Sequence, residues 1–263
     1  MRVLAFLIAL FAGPLAAQTA RDGACHLDTP CTLGERSYNL REPDGWDGVT
    51  PLPVLLHFHG WGRQGTLIVN HDRIASATRA RGVLLVAPNG IDRRWDWRAG
   101  SPDVAFADAV LADVAARYPT AQTFVSGYSI GSLMAWRLAC DSGADIDALL
   151  AIAGTLRRTD TCAETPAQVR HVHGLTDTVM DFPFGPGGDT TGPVALWRRE
   201  MGCGAGTPLG PWSQVDFLTL DRTRWDCARG TVILDTHPGG HFIPHGWIAR
   251  QIDELLGLPN AYP

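Results

Sequence analysis

The sequence predicts an α/β fold, in which a mostly parallel sheet has helices on both faces. Segments of strand length, most of them largely apolar, recur along the chain at residues 51–58, 83–87, 122–126, 148–153, 169–173 and 231–235. Such runs are typical of strands that are buried on both faces. Segments with helical spacing lie between several of them, and this alternation indicates a parallel sheet covered on each side.

The first half of the chain also contains an edge strand and two helices. Residues 36–41 alternate enough to form an edge strand, and residues 71–81 carry a helical pattern. Ser101-Pro102-Asp103 begins the next helix, since the serine caps it, the proline fits its first turn and the acid lies beside its positive end. This helix ends at Tyr118-Pro119, because the residue before a proline disfavours the helical conformation.

The second half adds two helices and one long loop. Residues 130–140 have the composition of a buried helix, and a helix is expected over residues 194–201, with Trp197 in the core. Residues 181–192 are rich in glycine and proline and follow the end of a strand. Loops in that position often carry function.

Length and composition predict a single domain. The chain has 263 residues, of which 45% are hydrophobic, enough to bury one sizeable core. The formal net charge is −5, with acidic and basic residues spread along the chain. No basic patch indicates nucleic acid or an anionic membrane surface as a partner, so a neutral or weakly charged substrate is expected.

Residues 1–17 have the pattern of a secretory signal peptide. Met1-Arg2 is a charged start, residues 3–12 are apolar, and Ala16-Ala17 end the segment with small side chains. A transmembrane anchor is the alternative, but the apolar run is shorter than the roughly 20 residues that a span needs. We therefore expect a secreted or periplasmic protein with no stable membrane anchor, whose mature domain is 18–263 with a core of about 30–256.

The chain has six cysteines, an even number in a protein expected in an oxidising compartment. Proximity and element order favour three disulfides, although buried free thiols are the alternative. The favoured pairs are Cys25 with Cys31, Cys140 with Cys162, and Cys203 with Cys227. No C-x-x-C motif occurs, which argues against a zinc ribbon or a thioredoxin-like site.

A serine stands at a strand-to-helix junction in Gly127-Tyr128-Ser129-Ile130-Gly131. Glycine two positions before and two positions after it fits a nucleophile elbow, the sharp turn that holds a hydroxyl at the carboxyl end of a sheet. The motif alone is weak, because glycine and serine are common. It becomes informative only if the chain also supplies a base, an acid and an oxyanion hole.

The base is expected to be a histidine, which both accepts and returns a proton near neutral pH. His241 is preferred, because it lies in the glycine-rich segment 238–241 directly after the last predicted strand. His237 and His245 are alternatives in the same region. A loop of this kind can carry the imidazole ring over the serine.

The acid should be a carboxylate that orients the imidazole. Asp177 is preferred because it follows the strand 169–173, and the alternatives are Asp181, Asp189 and Asp235. The resulting order, Ser129, Asp177, His241, is the chain order of α/β-hydrolases and differs from those of chymotrypsin-like and subtilisin-like proteases.

The oxyanion hole is expected from two backbone amides. One is the amide of Ile130, the residue after the serine, and the other comes from the loop after an early strand. That loop contains His59-Gly60-Trp61, so the Trp61 amide is the expected second donor. Trp95 and Trp97, in the loop after strand 83–87, are candidates to stack on a sugar or phenolic ring, with core packing as the alternative.

Paired histidines leave a metal site as an alternative. The H-x-H motifs at 57–59 and 171–173 each place two imidazoles on one face of a strand, and three further histidines are spaced by four at 237, 241 and 245. Both H-x-H motifs end in His-Gly at a strand terminus, which the hydrolase interpretation already explains. No metal or organic cofactor is expected.

Several motifs occur together in one order. They are His59-Gly60 after a buried strand, the segments 127–131 and 173–177, the cysteines at 203 and 227, and Gly239-Gly240-His241. Over roughly residues 30–256 the chain resembles the secreted polyhydroxybutyrate depolymerase family, which also takes in feruloyl and acetylxylan esterases. The resemblance implies an α/β-hydrolase that cleaves carboxylic esters without a cofactor, through Ser129, Asp177 and His241.

Three positions depart from the pattern of these depolymerases. Trp61 stands where a cysteine is frequent, and Ile130 stands where asparagine or alanine is frequent. Phe242-Ile243-Pro244 replaces a frequent x-Trp-Pro. These changes indicate a remodelled acyl pocket.

The expected function is that of a secreted serine esterase. Its substrates would be polyhydroxybutyrate oligomers or the feruloyl or acetyl esters of polysaccharides, as small, oligomeric or polysaccharide-linked esters. A serine peptidase on the same fold and a non-catalytic secreted binding protein with a hydrolase fold are the alternatives.

Overall fold

The computed structural model describes residues 25–262, and the predicted signal peptide lies outside them. Within these residues one sheet of ten strands has the order β1-β2-β4-β3-β5-β6-β7-β10-β9-β8. The strands are β1 (Cys31–Leu33), β2 (Arg36–Arg41), β3 (Leu52–Phe58), β4 (Leu84–Pro88), β5 (Thr120–Tyr128), β6 (Ala148–Ile152), β7 (Gln168–Gly174), β8 (Thr207–Val215), β9 (Leu218–Cys227) and β10 (Gly230–His237).

The middle of the sheet is parallel and its two edges are antiparallel. Strands β4, β3, β5, β6, β7 and β10 pair in parallel, one beside the next. Strands β2 and β1 continue the sheet antiparallel on one side, as β9 and β8 do on the other. The predicted mostly parallel sheet is confirmed.

Helices cover both faces of the sheet, as predicted. They are α1 (Gly65–Val69), α2 (Asp72–Arg79), α3 (Pro102–Arg117), α4 (Ile130–Asp141), α5 (Ala195–Glu200) and α6 (Trp247–Leu256). Helices α3, α4 and α5 contribute to the core on one face, with Trp197 fully buried there, and α1, α2 and α6 to the core on the other. Each predicted strand and helix is present, whereas β1, β8, β9, α1 and α6 were not predicted.

A buried ionic cluster holds β9, β10 and α6 together. Arg222 Nε lies 2.8 Å from Asp235 Oδ1, and Arg222 Nη1 lies 2.7 Å from Glu254 Oε1. The indoles of Trp212 and Trp247 donate to the two Asp235 oxygens at 2.9 and 2.8 Å. Asp235, an alternative acid in the sequence, is therefore fully committed to the scaffold.

Disulfides join Cys25 to Cys31, Cys140 to Cys162 and Cys203 to Cys227, which are the pairs that proximity favoured. Cys140 lies near the end of α4, so its disulfide ties this helix to the segment after β6. Among the described residues, no helix has both the length and the apolar character that crossing a membrane requires.

Candidate active site

Ser129 lies in a strained turn between β5 and α4. Its φ is 60° and its ψ is −125°, a conformation that residues other than glycine rarely adopt. The Ser129 amide donates to the carbonyl oxygen of Ile152 at 3.0 Å, and its carbonyl accepts from the amides of Ser132 and Leu133 at 2.9 and 3.3 Å. Hydrogen bonds to β6 and within α4 therefore hold the strained conformation.

The glycines of the elbow are required by sterics. A Cβ atom at Gly127 would collide with the carbonyl of Gly131, and one at Gly131 would collide with the carbonyls of Phe58 and His59. The latter two carbonyls lie at the end of β3, so the turn packs backbone to backbone against that strand. This contact explains the Gly-x-Ser-x-Gly spacing.

His241 and Asp177 form a hydrogen-bonded pair beside this turn. His241 Nδ1 lies 2.7 Å from Asp177 Oδ2, and the Asp177 side chain is fully buried. When the carboxylate is ionised it only accepts, so Nδ1 carries the hydrogen and Nε2 of the neutral ring is free to accept one. His241 and Ser129 line the same cavity.

Asp177 has further donors. Its Oδ1 accepts from the amides of Val179 and Met180 at 2.9 and 3.0 Å, and its Oδ2 also lies 3.3 Å from His173 Nε2. Burial alone would raise the pKa of this carboxyl, but the hydrogen bonds from His241 and the two amides outweigh it and hold the pKa below its usual value. The group is therefore poised to remain a carboxylate.

Hydrogen bonds to main-chain carbonyls join the loops that carry Asp177 and His241. The amide of Leu175 donates to the carbonyl of His237 at 2.8 Å, and the Thr176 hydroxyl donates to the carbonyl of Pro238 at 3.0 Å. A Cβ atom at Gly174 would collide with the carbonyl of Gly239. The glycine that ends β7 thus permits the close approach that brings the acid to the histidine.

Tyr128, which the sequence did not single out as a site residue, supports the His241 loop. Its hydroxyl donates to the His241 carbonyl at 3.0 Å, and its ring lies 4.8 Å from the imidazole. Burial, followed by the charge of Asp177, raises the pKa of Tyr128 to about 12, so the hydroxyl remains a donor. In the sequence, the only indication of this role was that Tyr128 directly precedes Ser129.

The loop after β3 is fixed by the imidazole of His59. Its Nδ1 donates to the carbonyl of Gly60 at 2.9 Å, and its Nε2 accepts from the amide of Gly90 at 3.1 Å. The indole of Trp95 donates to the His59 carbonyl at 2.8 Å. Contacts of His59 with the segment after β4 therefore determine where Trp61, two residues further along the chain, lies.

The amides of Trp61 and Ile130 are available to a ligand. Within residues 25–262 neither donates a hydrogen bond to a protein acceptor. Ile130 follows Ser129 directly, and Trp61 lines the cavity that contains Ser129. Free amides beside a serine hydroxyl can stabilise the negative charge that develops on an attacked carbonyl oxygen.

The cavity shared by Ser129 and His241 has a volume of about 760 Å³ and extends toward β3, α1 and α2. Its apolar wall comprises Trp61, Leu67, Ile68, Phe242 and Ile243. The Trp61 side chain is 71% exposed, so a bound molecule could cover it. An apolar or aromatic group fits this environment.

A second cavity, of about 690 Å³, lies on the other side of Val179, which lines both. It is formed by the loops after β6 and β7 and includes Thr155, Arg157, Asp181 and Asp189. The ring of Phe184, which is half-exposed, also lines it. The two cavities therefore meet at Val179, and the exposed lining of the second is the more polar of the two.

Curated relatives of this chain are named feruloyl esterases. It is 26% identical over 223 residues to probable feruloyl esterase C of Aspergillus niger, an alignment covering 80% of this chain and 77% of that protein. It is 32% identical over 160 residues to feruloyl esterase C of Emericella nidulans, where the alignment covers 58% of this chain and only 59% of that protein. No family model matches the chain.

Solved structures share the fold at low sequence identity. An acetyl xylan esterase from Aspergillus awamori superposes with a TM-score of 0.62 at 15% identity, covering 85% of this chain and 94% of that one. Esterase PE8 superposes with a TM-score of 0.54 at 17% identity, covering 85% and 99%. The chain has an α/β-hydrolase fold and is similar in sequence to feruloyl esterases. It is accordingly a carboxylic ester hydrolase.

The other candidate histidines and aspartates of this esterase lie away from Ser129. His237 Nδ1 accepts from the Gly239 amide at 3.1 Å, and His245 is paired with the Tyr262 hydroxyl at 3.4 Å. Neither histidine lines the Ser129 cavity, and the acids at 181 and 189 line the second cavity instead. Of the weighed candidates, His241 and Asp177 are the two that bond to each other.

Trp95 and Trp97 do not line the Ser129 cavity of the esterase. Trp95 is buried edge-on against Phe58, with ring centroids 5.1 Å apart. Trp97 is partly exposed, in a separate cavity beside Trp95. Trp95 packs beneath the loop 59–61 and Trp97 lies outside the Ser129 cavity, so contact of this pair with a substrate stays a prediction.

The paired histidines of the esterase have hydrogen-bond partners. His57 Nδ1 is 3.0 Å from the Ser126 hydroxyl, and His171 Nε2 is 3.2 Å from His173 Nδ1. Across residues 25–262, no three His, Cys, Asp or Glu side chains converge as metal ligands would. The two H-x-H motifs thus belong to the buried polar scaffold around the strand ends.

Proposed function

We propose that this esterase cleaves its substrate through an acyl-enzyme on Ser129. The proposal is carried by one observation, the strained serine in the same cavity as the His241–Asp177 pair. Ser129 Oγ attacks the ester carbonyl while His241 Nε2 accepts its proton, and Asp177 stabilises the imidazolium. The amides of Trp61 and Ile130 receive the oxyanion.

Collapse of the tetrahedral intermediate breaks the ester bond. His241 returns its proton to the departing alkoxide, so the alcohol leaves and the acyl group remains on Ser129. Water then attacks the acyl-enzyme with His241 as base, and the carboxylic acid is released as the serine regains its proton. The cycle requires no metal or organic cofactor.

Among ester substrates, we propose feruloyl groups linked to polysaccharide or oligosaccharide. The apolar cavity with its exposed Trp61 suits an aromatic acyl group, and the polar cavity beyond Val179 suits a sugar as the alcohol. The attacked carbonyl would lie between them, at Ser129. The names of the curated relatives agree with this choice.

We also propose that the mature chain, residues 18–263, is a single catalytic domain that works outside the cytoplasm. Residues 1–17 have the pattern of a signal peptide, and three disulfides suit an oxidising compartment. Sequencing the amino terminus of the exported protein tests this proposal. A mature chain that begins after Ala17 supports it, and a retained Met1 contradicts it.

The decisive variant is Ser129→Ala, assayed on a short p-nitrophenyl ester. Hydrolysis should be abolished, because the nucleophile is lost, while circular dichroism and thermal unfolding stay unchanged. Ser142→Ala, at the other end of α4, is the control and should retain the wild-type rate. Activity of Ser129→Ala near the wild-type level would refute the assignment.

Substrate class and cofactor need separate assays. Feruloyl, acetyl-xylan and hydroxybutyrate esters, tested side by side, should rank with the feruloyl ester highest in kcat/KM. A peptide amide should be a poor substrate. EDTA should leave every rate unchanged, and a clear loss would revive the metal alternative.

A further inference from the structure

Asp177 is bonded to two histidines, and the proposed reaction uses only one of them. The second is His173, near the end of β7, which is 2% exposed. Its Nε2 lies 2.9 Å from the carbonyl oxygen of Met180 and 3.3 Å from Asp177 Oδ2. This imidazole therefore contacts both the carboxylate and the turn that follows it.

The hydrogen bonds of His173 determine its tautomer. The Met180 carbonyl only accepts, so Nε2 carries the hydrogen. Burial lowers the pKa of His173, which leaves the ring neutral and its Nδ1 without a hydrogen. Nδ1 then accepts from Nε2–H of His171 at 3.2 Å. Donation runs in one direction, from His171 to His173 and from His173 to Asp177 and Met180.

With this tautomer the Asp177 carboxylate has four donors. Two are the amides of Val179 and Met180 on Oδ1, and two are the imidazoles of His173 and His241 on Oδ2. The amides belong to the local turn, and His241 is the reacting base. His173 is the one donor that reaches the carboxylate from the sheet itself.

We propose that His173 is a positioning residue that orients the Asp177 carboxylate and tunes how strongly it stabilises a proton on His241. This inference rests on the proposed triad. A donor on Oδ2 withdraws negative charge from the carboxylate, so the His241 imidazolium is stabilised less than it would be beside a carboxylate without that donor. His173 thereby sets the pH at which His241 can accept the serine proton.

Asp177 is the charged group that the His173 imidazole contacts directly. His171 on β7 and His237 on β10 are held neutral, because burial lowers the pKa of both. The Phe182 ring meets the imidazole edge to face at 5.2 Å. The remaining titratable neighbours are Asp177 and His241 themselves, so a change at His173 acts on that pair.

Two isosteric variants separate the contacts of His173. An asparagine amide reaches the position of Nδ1, whereas a glutamine amide reaches that of Nε2. His173→Asn therefore keeps the contact with His171 and removes the donor to Asp177, and His173→Gln does the reverse. Both side chains are polar, so neither leaves an apolar gap in the network.

The expected result is a difference between these variants. His173→Asn should lower kcat about tenfold, with little change in KM, and move the acid limb of the kcat/KM profile to higher pH. His173→Gln should remain close to wild type in both. Active-site titration with a serine-directed phosphonate gives the rate per folded molecule, so partial unfolding does not enter the comparison.

His57→Asn is the matched control, since it alters an equally buried imidazole on β3. It should lower Tm and leave the acid limb in place. Equal pH profiles for His173→Asn and His173→Gln, whether wild-type or impaired, would overturn the proposal. Failure of the wild-type protein to hydrolyse any ester would instead refute the proposed function, so the two failures are distinct.

Discussion

The indole of Trp95 donates a hydrogen bond to the main-chain carbonyl of His59 at 2.8 Å, two residues before the expected oxyanion donor Trp61. This contact crosses from the loop after β4 to the loop after β3. It gives a buried aromatic side chain control over a backbone amide in the Ser129 cavity. The position of the proposed oxyanion hole therefore depends on a residue that does not line the cavity.

Trp95→Phe should lower kcat about tenfold or more with little change in KM. The phenyl ring keeps the packing against Phe58, but the His59 carbonyl loses its donor and the Trp61 amide shifts, and small misplacements of catalytic groups are costly. Steady-state kinetics on a p-nitrophenyl ester measure the effect. Trp97→Phe, outside the cavity, is the control, and equal kinetics for the two variants would contradict the prediction.

Trp61→Ala should change selectivity, because it removes the exposed aromatic wall and keeps the backbone amide. We expect kcat/KM for a feruloyl ester to fall about tenfold relative to an acetyl ester, since aromatic contacts contribute about 0.5–1.5 kcal/mol beyond the area they bury. Phe217→Ala removes another exposed aromatic ring, between β8 and β9, and should leave the ratio unchanged. An equal loss on both esters would exclude Trp61 as a selectivity residue.

Buried histidines should make the fold sensitive to acid. Burial lowers the pKa of His57 to about 3 and that of His237 to about 4, and it also lowers the pKa values of His171 and His173. In the unfolded chain these histidines have the ordinary histidine pKa of about 6.5. Below that pH they bind protons in the unfolded chain but not in the folded one, so unfolding takes up protons. The free energy of unfolding is therefore highest above about pH 6.5 and falls toward pH 4.

Thermal unfolding measured between pH 8 and pH 5 checks whether stability falls as the pH is lowered. Tm should be flat on the alkaline side and decline below about pH 6.5. His57→Asn should make the decline shallower, because one of the depressed groups is gone. A Tm that stays constant down to pH 5 would contradict the argument.

Asp235→Ala should destabilise the protein by about 3–5 kcal/mol, because it leaves the buried guanidinium of Arg222 without its main partner. Asp226→Ala is the matched control, since it breaks an exposed pair with Arg224 on the same strand. That change should cost no more than about 1 kcal/mol. Urea unfolding measures both, and similar losses for the two variants would show that burial does not govern the cost.

Most of the parallel strands were predictable because their sequences are apolar on both faces, whereas β7 carries Arg170, His171 and His173. Strand β9 was not, although its buried and exposed residues alternate over part of its length, because one inward position holds Arg222. Strand β8 contains Pro208 and Pro211, which usually argue against a strand. The partners Asp235 and Glu254 make Arg222 a residue of the interior, and those contacts are not visible in the sequence.

In the candidate site, too, some residues were recognisable from the sequence and others depend on contacts that the sequence does not show. Ser129, Asp177 and His241 were recognisable because each lies at a strand end with glycines nearby. The bond from His173 to Asp177 was not, because a histidine four residues before an aspartate specifies no geometry until the turn between them is known. Helix α6 was missed despite apolar residues at 247, 248, 252 and 255, a spacing that could have identified it.

Both edges of the sheet are unsuited to accepting another strand. On one side β1 has three residues and a disulfide at its start, and on the other β8 has two prolines and two register shifts. Exposed sheet edges otherwise template pairing between molecules. Under the proposed export the protein would work without cytoplasmic chaperones, and these blunted edges would limit pairing between its molecules.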